Sequence, residues 1–371
     1  MSDYFGKEVP KLGFGLMRLP RKGLFTDVEQ VKEMVDQFLG AGFTYFDTAF
    51  VYPGSEAATK KALVDRYPRE SYTLATKLNA FMAVSEKNAK NQFYTSLERT
   101  GAEYFDYYLL HSLMENNYKK YDNYGIWDFA KEQKEKGLIK HVGFSFHAGP
   151  KLLDQLLTAH PEVDFIQLQI NYADWENPSV ASRANYEVAR KHGKSIVVME
   201  PVKGGSLANP PAAVKKLLKE YHPDMSYASW AIRFVASLDG ILTVLSGMSN
   251  VEQMNDNLSY MKDFQPLNEE ERKIIQEAQR ILGKSSTIPC TSCHYCTEGC
   301  PKQIPIPEVF SAMNKQLGNG QMAEALQDYQ QATSQGNLAS TCVNCKQCEQ
   351  SCPQHIPITQ HLQQCVEMLE G

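Results

Sequence analysis

The sequence predicts an α/β protein, a (β/α)8 TIM barrel over residues 1–283 followed by a mainly α-helical domain over 284–371. Three observations carry this expectation. Short apolar runs alternate with helical patterns from Leu12 to about residue 250, and eight of the runs have strand character. Gly and capping residues punctuate the junctions. Beyond residue 284 the pattern changes to one cysteine motif that occurs twice.

The eight runs are Leu12 to Leu16, Phe43 to Phe46, Tyr72 to Ala75, Asp106 to Leu110, His141 to Phe144, Asp164 to Leu168, Ser195 to Val198 and Ile241 to Leu245. After the first, Thr26 with Glu29 reads as a capping box, and Val28, Val31, Val35, Phe38 and Leu39 repeat at helical spacing until Gly40 and Gly42. Trp127 to Gly137 repeats that grammar before the next strand. Eight β–α units in about 240 residues match a closed barrel, with a doubly wound sheet as the alternative. A further helix from Asn268 leads through Gly283 to Thr287 into the cysteine region.

That region reads Cys290-x2-Cys293-x2-Cys296-x3-Cys300-Pro301 and Cys342-x2-Cys345-x2-Cys348-x3-Cys352-Pro353, taking eight of the nine cysteines. This spacing wraps thiolates around [4Fe–4S] cubes, and the fourth cysteine of each run serves the other cube. The expected ligand sets are therefore Cys290, Cys293, Cys296 and Cys352 for one cluster, and Cys342, Cys345, Cys348 and Cys300 for the other. A zinc ribbon would present separated C-x2-C pairs instead. Cys365 shares an apolar helical face with Leu362 and Leu369 and reads as a small buried hydrophobe. The segments Cys300-Pro-Lys-Gln-Ile-Pro-Ile306 and Cys352-Pro-Gln-His-Ile-Pro-Ile358 repeat at a period of 52, and Met322 to Gln331 between them is polar and helix-prone. Together these features predict a helical two-cluster ferredoxin-like domain.

The formal charge of −5 argues against nucleic acid as a partner. No run of about 18 apolar residues is present, and the N-terminus is charged rather than signal-like. A cytoplasmic protein is expected, and cysteines grouped as cluster ligands fit a reducing compartment.

The ends of the barrel runs carry ionisable residues. Asp47-Thr48-Ala49 follows the second run with Tyr52 close behind, Thr76-Lys77 follows the third, and His111-Ser112 follows the fourth. Ser145, Gln167 and Glu200 come from the fifth, sixth and seventh runs. In a barrel these positions share one mouth, where a carboxylate, a phenol, an amine and an imidazole make an acid–base site. Taken singly, Asp47 could be a capping acid, Lys77 a solvated charge and His111 a structural histidine.

Tyr45-Phe-Asp-Thr-Ala49, Tyr52-Pro-Gly-Ser-Glu56, Ala75-Thr-Lys77, Leu109-Leu-His-Ser112, Gly143-Phe-Ser145 and Ser246-Gly-Met-Ser-Asn250 resemble the aldo-keto reductase superfamily. With the cysteine tail, the chain resembles its iron–sulfur branch. The resemblance implies NAD(P)H-dependent reduction of a small-molecule carbonyl, with Tyr52 as proton donor, Lys77 and Asp47 lowering its pKa, and His111 polarising the carbonyl. It also implies that Ser145 and Gln167 hold the nicotinamide carboxamide, with Asn171 a further candidate, and that the loop from Gly247 to Asn257 follows the adenosine half. At the positions where NADPH-selective members carry basic residues stand Gly247, Met248 and Gln253, so both NADP(H) and NAD(H) are open.

Three roles for the clusters stay open. They transfer electrons to or from a redox partner protein, they are structural or docking elements, or the chain is mainly an electron carrier with a nucleotide-sensing barrel. Arg18 either binds an acidic substrate or caps its strand end. The segment Leu113 to Gly125, with Tyr118, Tyr121 and Tyr124, is either a substrate lid or a support for the tail.

Overall fold

The computed structural model describes residues 2–4, 7–284 and 286–371. The chain forms two compact units: Met1–Asn177, Ala181–Val202 and Ala228–Arg272 make the first, and Pro178–Val180, Lys203–Tyr227 and Lys273–Gly371 the second.

In the first unit eight parallel strands form a closed barrel: β1 Leu12–Gly15, β2 Tyr45–Asp47, β3 Thr73–Leu78, β4 Phe105–Leu113, β5 Ile139–Phe146, β6 Phe165–Gln169, β7 Ser195–Met199 and β8 Ile241–Ser246. The strands pair in chain order, and β8 returns to β1 through Val244 opposite Leu12. Closure sets aside the doubly wound alternative, and every expected strand run falls within or overlaps one of these strands. Side chains that point inward fill the barrel, as Tyr45, Tyr107, Phe165, Val197 and Leu245 pack with Val9 from the preceding hairpin. Gly143 on β5 has a specific reason, since a Cβ there would lie 2.6 Å from the Phe165 carbonyl oxygen.

The first helix, α1 Val28–Gly40, packs Phe38 against Phe14 and Phe46, with ring centroids 5.7 and 5.2 Å apart. Its cap differs from the expected Thr26 box. Thr26 is held extended in a hairpin opposite Arg21, so Asp27 becomes the cap and accepts from the Gln30 amide at 3.2 Å. At the N-terminal ends of the strands, Asp106 accepts from the Leu74 amide at 2.9 Å, and Asp164 accepts from the Val142 amide at 2.8 Å. These carboxylates tie neighbouring strands together and belong to the stability face of the barrel.

In the second unit the 52-residue repeat is visible in the backbone. Ser292, His294 and Gln303 adopt left-handed φ values, and so do Asn344, Lys346 and His355, all between 51° and 64°. In each set the first two residues precede a short helix (Tyr295–Glu298 or Gln347–Gln350), and the third lies between it and a longer one (Ile306–Asn319 or Ile358–Cys365). Six non-glycine residues in so sparse a region are sustained only where the surroundings over-determine them, as around a clamped ligand. The expected polar helix is present as Met322–Ala332, and it buries Ala325 and Tyr329 in the core built on Phe310, Met313 and Leu362. Gly204 has a φ of 64° and would place a Cβ 2.5 Å from the Thr291 carbonyl oxygen, so only glycine allows this turn to reach the residue after Cys290.

Candidate active site and cluster sites

The C-terminal ends of β2, β3 and β4 bring the four expected acid–base residues together. Lys77 Nζ lies 2.5 Å from Asp47 Oδ1 and donates to the Thr48 carbonyl at 2.8 Å. It is also 5.0 Å from the centre of the Tyr52 ring, which meets the His111 ring edge-on at 5.7 Å. Burial acts against both charges of the pair, raising the Asp47 carboxyl and lowering the Lys77 ammonium, while each partner's charge opposes the shift. His111 is held well below the ordinary imidazole value by burial, then by the charges of Lys77 and His147. It is therefore neutral at physiological pH.

Asp47 Oδ2, His111 Nδ1 and Gln167 Oε1 are buried without a hydrogen-bond partner. Such orphans are costly in a finished core and ordinary in a site that waits for a ligand. Ser145 Oγ accepts from the Ser112 amide at 2.7 Å and keeps its own proton free to donate. Ser145 and Gln167 are opposite each other in the β5–β6 register, so a hydroxyl donor and an amide acceptor stand side by side. A carboxamide needs that pair.

Other candidates also have contacts within the protein. Asn171 donates to Asp174 and to the Glu200 carbonyl and accepts from the Asp174 amide, which makes it a turn-forming residue. Asn257 is buried, donates to Ser246 Oγ at 2.6 Å and accepts from the Tyr260 hydroxyl at 2.5 Å. Gly247 lies beside Arg18, whose Cδ is 3.8 Å from where a Cβ would sit. Met248 is buried, and Gln253 accepts from the Ser249 amide at 2.7 Å. Arg18 itself faces Glu200 at 3.6 Å.

Sequence reasoning left Ser55 and Glu56 unassigned. Ser55 bonds Thr48 at 2.7 Å and the Leu16 carbonyl at 2.9 Å, tying the Tyr52 loop to the ends of β1 and β2. Glu56, buried in the same loop, accepts from Thr76 at 2.9 Å. Both lie inside the quoted Tyr52-Pro-Gly-Ser-Glu56 motif, which was the available signal. Tyr121 is fully buried, and its hydroxyl donates to the His111 carbonyl, so this tyrosine supports the strand end that carries the imidazole.

In the second unit two hollows collect the eight motif cysteines. Cys290, Cys293, Cys296 and Cys352 line one, with Phe310, Ile306 and Ile358 as walls. Cys300, Cys342, Cys345 and Cys348 line the other. Each hollow thus takes three thiols from one motif and the fourth from its repeat. Among the described residues no three His, Cys, Asp or Glu side chains are arranged to hold a single metal ion, whereas a closed zinc site draws four ligands to about 2.3 Å from one centre. A cube distributes its thiolates over four separate irons, and the donor set fits that demand. Burial pushes the Cys290, Cys296 and Cys352 thiols up, and Cys348 to about 11, so bound metal must supply what stabilises the thiolates. Cys365 is fully buried outside both hollows, as its apolar face predicted.

The Aldo/keto reductase family model matches residues 11–280, and a 4Fe-4S dicluster domain model matches residues 289–357. The chain belongs to the aldo/keto reductase family and carries a 4Fe-4S dicluster domain. It is 25% identical to an NAD(P)H-dependent 6'-deoxychalcone synthase of Glycine max, over 76% of this chain and 95% of that one. It is 29% identical to an aldo-keto reductase of Mycolicibacterium vanbaalenii, over 69% of this chain and 84% of the relative. A solved aldo-keto reductase from Bacillus halodurans, in its holo form, superposes with a TM-score of 0.59 at 26% identity, covering 73% of this chain and 93% of that one. An aldo/keto reductase from Klebsiella pneumoniae, solved with NADP and acetate, shares the fold with a TM-score of 0.60 at 18% identity, over 73% of this chain and 92% of that one. Among the described residues no helix is long and apolar enough to cross a membrane.

Proposed function

We propose that this family member reduces a small-molecule carbonyl with NADP(H) or NAD(H), Tyr52 giving the proton, and that its dicluster domain holds two [4Fe–4S] clusters that exchange electrons with a redox partner. The observation that carries the reading is the convergence of Asp47, Lys77, Tyr52 and His111 at one end of the barrel. When bound, the dinucleotide supplies the hydride. Neutral His111 polarises and orients the carbonyl oxygen, and the Tyr52 hydroxyl delivers its proton as negative charge develops there. The Lys77 ammonium favours the phenolate left behind, and Asp47 keeps that ammonium charged. Ser145 and Gln167 grip the carboxamide, while Gly247 and Asn257 shape the adenosine side.

For the second domain, taken as beginning near residue 284, the cysteine linings support exchanged fourth ligands: Cys352 completes the first cluster and Cys300 the second. A structural role for the clusters has its own support, because Cys296, Cys348 and Cys352 belong to the apolar core of the unit. Tyr52→Phe tests the catalytic reading. It keeps the ring, so dinucleotide affinity stays near the parent, while turnover of any reducible carbonyl falls by about 10² to 10⁴. A variant within about threefold of the parent removes Tyr52 from the role. Direct bleaching of the cluster absorption by NAD(P)H, without a mediator, distinguishes coupled clusters from staples.

A further inference from the structure

We propose that the second cysteine hollow is the electron port of the chain and that its basic rim takes a one-electron carrier protein with an acidic face. The proposal rests on the reading that both hollows hold [4Fe–4S] clusters. The two sites come from one repeat, yet their surroundings differ in exposure and in charge.

The first hollow is lined by buried Ile306, Pro307, Phe310, Ile356 and Ile358. His294 also lines it and lies 3.7 Å from the Glu308 carboxylate. The second hollow opens through Cys345, which is exposed, and Val343, which is 56% exposed. Lys302 and Lys346 line it, both exposed, together with buried Ile304, Ile306 and Leu362. Neither ammonium group is in a hydrogen bond or ion pair within the described residues. Thr359 also lines it, and the Glu349 carboxylate accepts from the Thr359 amide and hydroxyl at 2.9 and 2.7 Å.

Reduction adds one negative charge to a cube. A site enclosed by buried side chains opposes that charge, and one whose rim is exposed and carries two ammonium groups favours it, so the second cluster has the higher potential. The transferred species is one electron. The carrier is oxidised by one unit as the cluster passes from the 2+ to the 1+ level, and no bond forms or breaks. Electron transfer needs close approach, which the exposed Val343 and Cys345 edge permits, and the two lysines orient an acidic face upon it.

The test uses the full reconstituted chain, reduced with dithionite and mixed rapidly with ferricyanide, an anion, or with hexaammineruthenium(III), a cation. Steering by the rim predicts that Lys302→Glu/Lys346→Glu slows ferricyanide about tenfold at low salt, accelerates the cation, and loses both effects at high salt. Lys302→Arg/Lys346→Arg keeps the parent rates. The same charge change on the helix Ala212–Tyr221, Lys215→Glu/Lys216→Glu, has less than about a twofold effect. Reduced flavodoxin, an acidic protein carrier, mixed with the oxidised chain in place of the dithionite-reduced one, follows the ferricyanide pattern as it gives one electron to the cluster. If the charge-reversed variant loses iron, Lys302→Gln/Lys346→Gln gives the same sign of change at about half the logarithmic size. In a redox titration followed by electron paramagnetic resonance, the rim variants move only the cluster that titrates at the higher potential. Equal effects from the control helix, no effect at the rim, or a shift of the lower-potential cluster overturns the proposal. Failure to find two cubes by iron content and resonance would instead overturn the cluster reading on which it rests.

Discussion

Replacing Lys77 by methionine preserves most of the side chain and removes a charge 5.0 Å from the centre of the Tyr52 ring. At an effective dielectric near 20, unit charges at that separation interact by about 3 kcal/mol. If that energy acts on the phenolate as it forms, its loss slows proton delivery about two hundredfold. The substitution has a second consequence. Asp47 is buried, and its Oδ2 already lacks a hydrogen-bond partner, so removing Lys77 leaves an uncompensated carboxylate. Breaking a buried pair in this way costs about 3 to 5 kcal/mol of stability. The double variant Asp47→Asn/Lys77→Met removes both charges and separates the effects, because it recovers most of the stability without recovering the rate. The assay is kcat/KM for one reducible carbonyl across pH, alongside thermal unfolding of the same samples. Without the ammonium, Tyr52 holds its proton to higher pH, so the alkaline limb of the profile moves upward. A folded Lys77→Met enzyme within about threefold of the parent, or a double variant with restored turnover, would refute the reasoning.

Cys300→Ala damages the cluster carried by Cys342, Cys345 and Cys348 and spares the first, leaving about four of about eight irons per reconstituted chain; resonance spectra that show only the first cluster disturbed contradict the exchange. The dissociation constants for NADP(H) and NAD(H) differ by less than about a hundredfold, because Gly247, Met248 and Gln253 offer no cation, and a larger ratio assigns the 2′-phosphate to another basic group. The buried, neutral His111 makes stability fall on acidification. The unfolded chain takes up a proton below about pH 6.5 and the folded chain does not, so stability is greatest above that value and declines towards the depressed folded pKa. Urea titrations of His111→Gln should show a shallower decline than the parent, and parallel slopes would exclude His111 as the source.

Much of this molecule is decided locally. Eight apolar runs at regular intervals required strands, the helical patterns between them required crossovers, and a parallel sheet of that length closes on itself when its order follows the chain. The cysteine spacing is similarly local, because three thiolates within seven residues of chain can only address neighbouring corners of one cube. Family resemblance then supplied roles for Tyr52, Asp47, Lys77 and His111 from motifs of a few residues each. What needed tertiary structure was every property that depends on a neighbour distant in sequence. Asn171 and Asn257 have the right chemistry for ligand contacts, and folding turns part of their hydrogen-bonding capacity to Asp174, Ser246 and Tyr260. Tyr121 had two expected roles and takes a third, beneath His111. The Thr26 cap gave way to Asp27 because a hairpin outside the helix fixed the backbone of Thr26. The sequence already places Lys346 where the first motif has His294 and Lys302 where the repeat has Gln354, but only folding brings both lysines to one hollow and leaves its Val343 and Cys345 edge exposed. Spacing determines which atoms can meet a ligand, whereas burial and charge around those atoms, which set pKa and potential, are properties of packing.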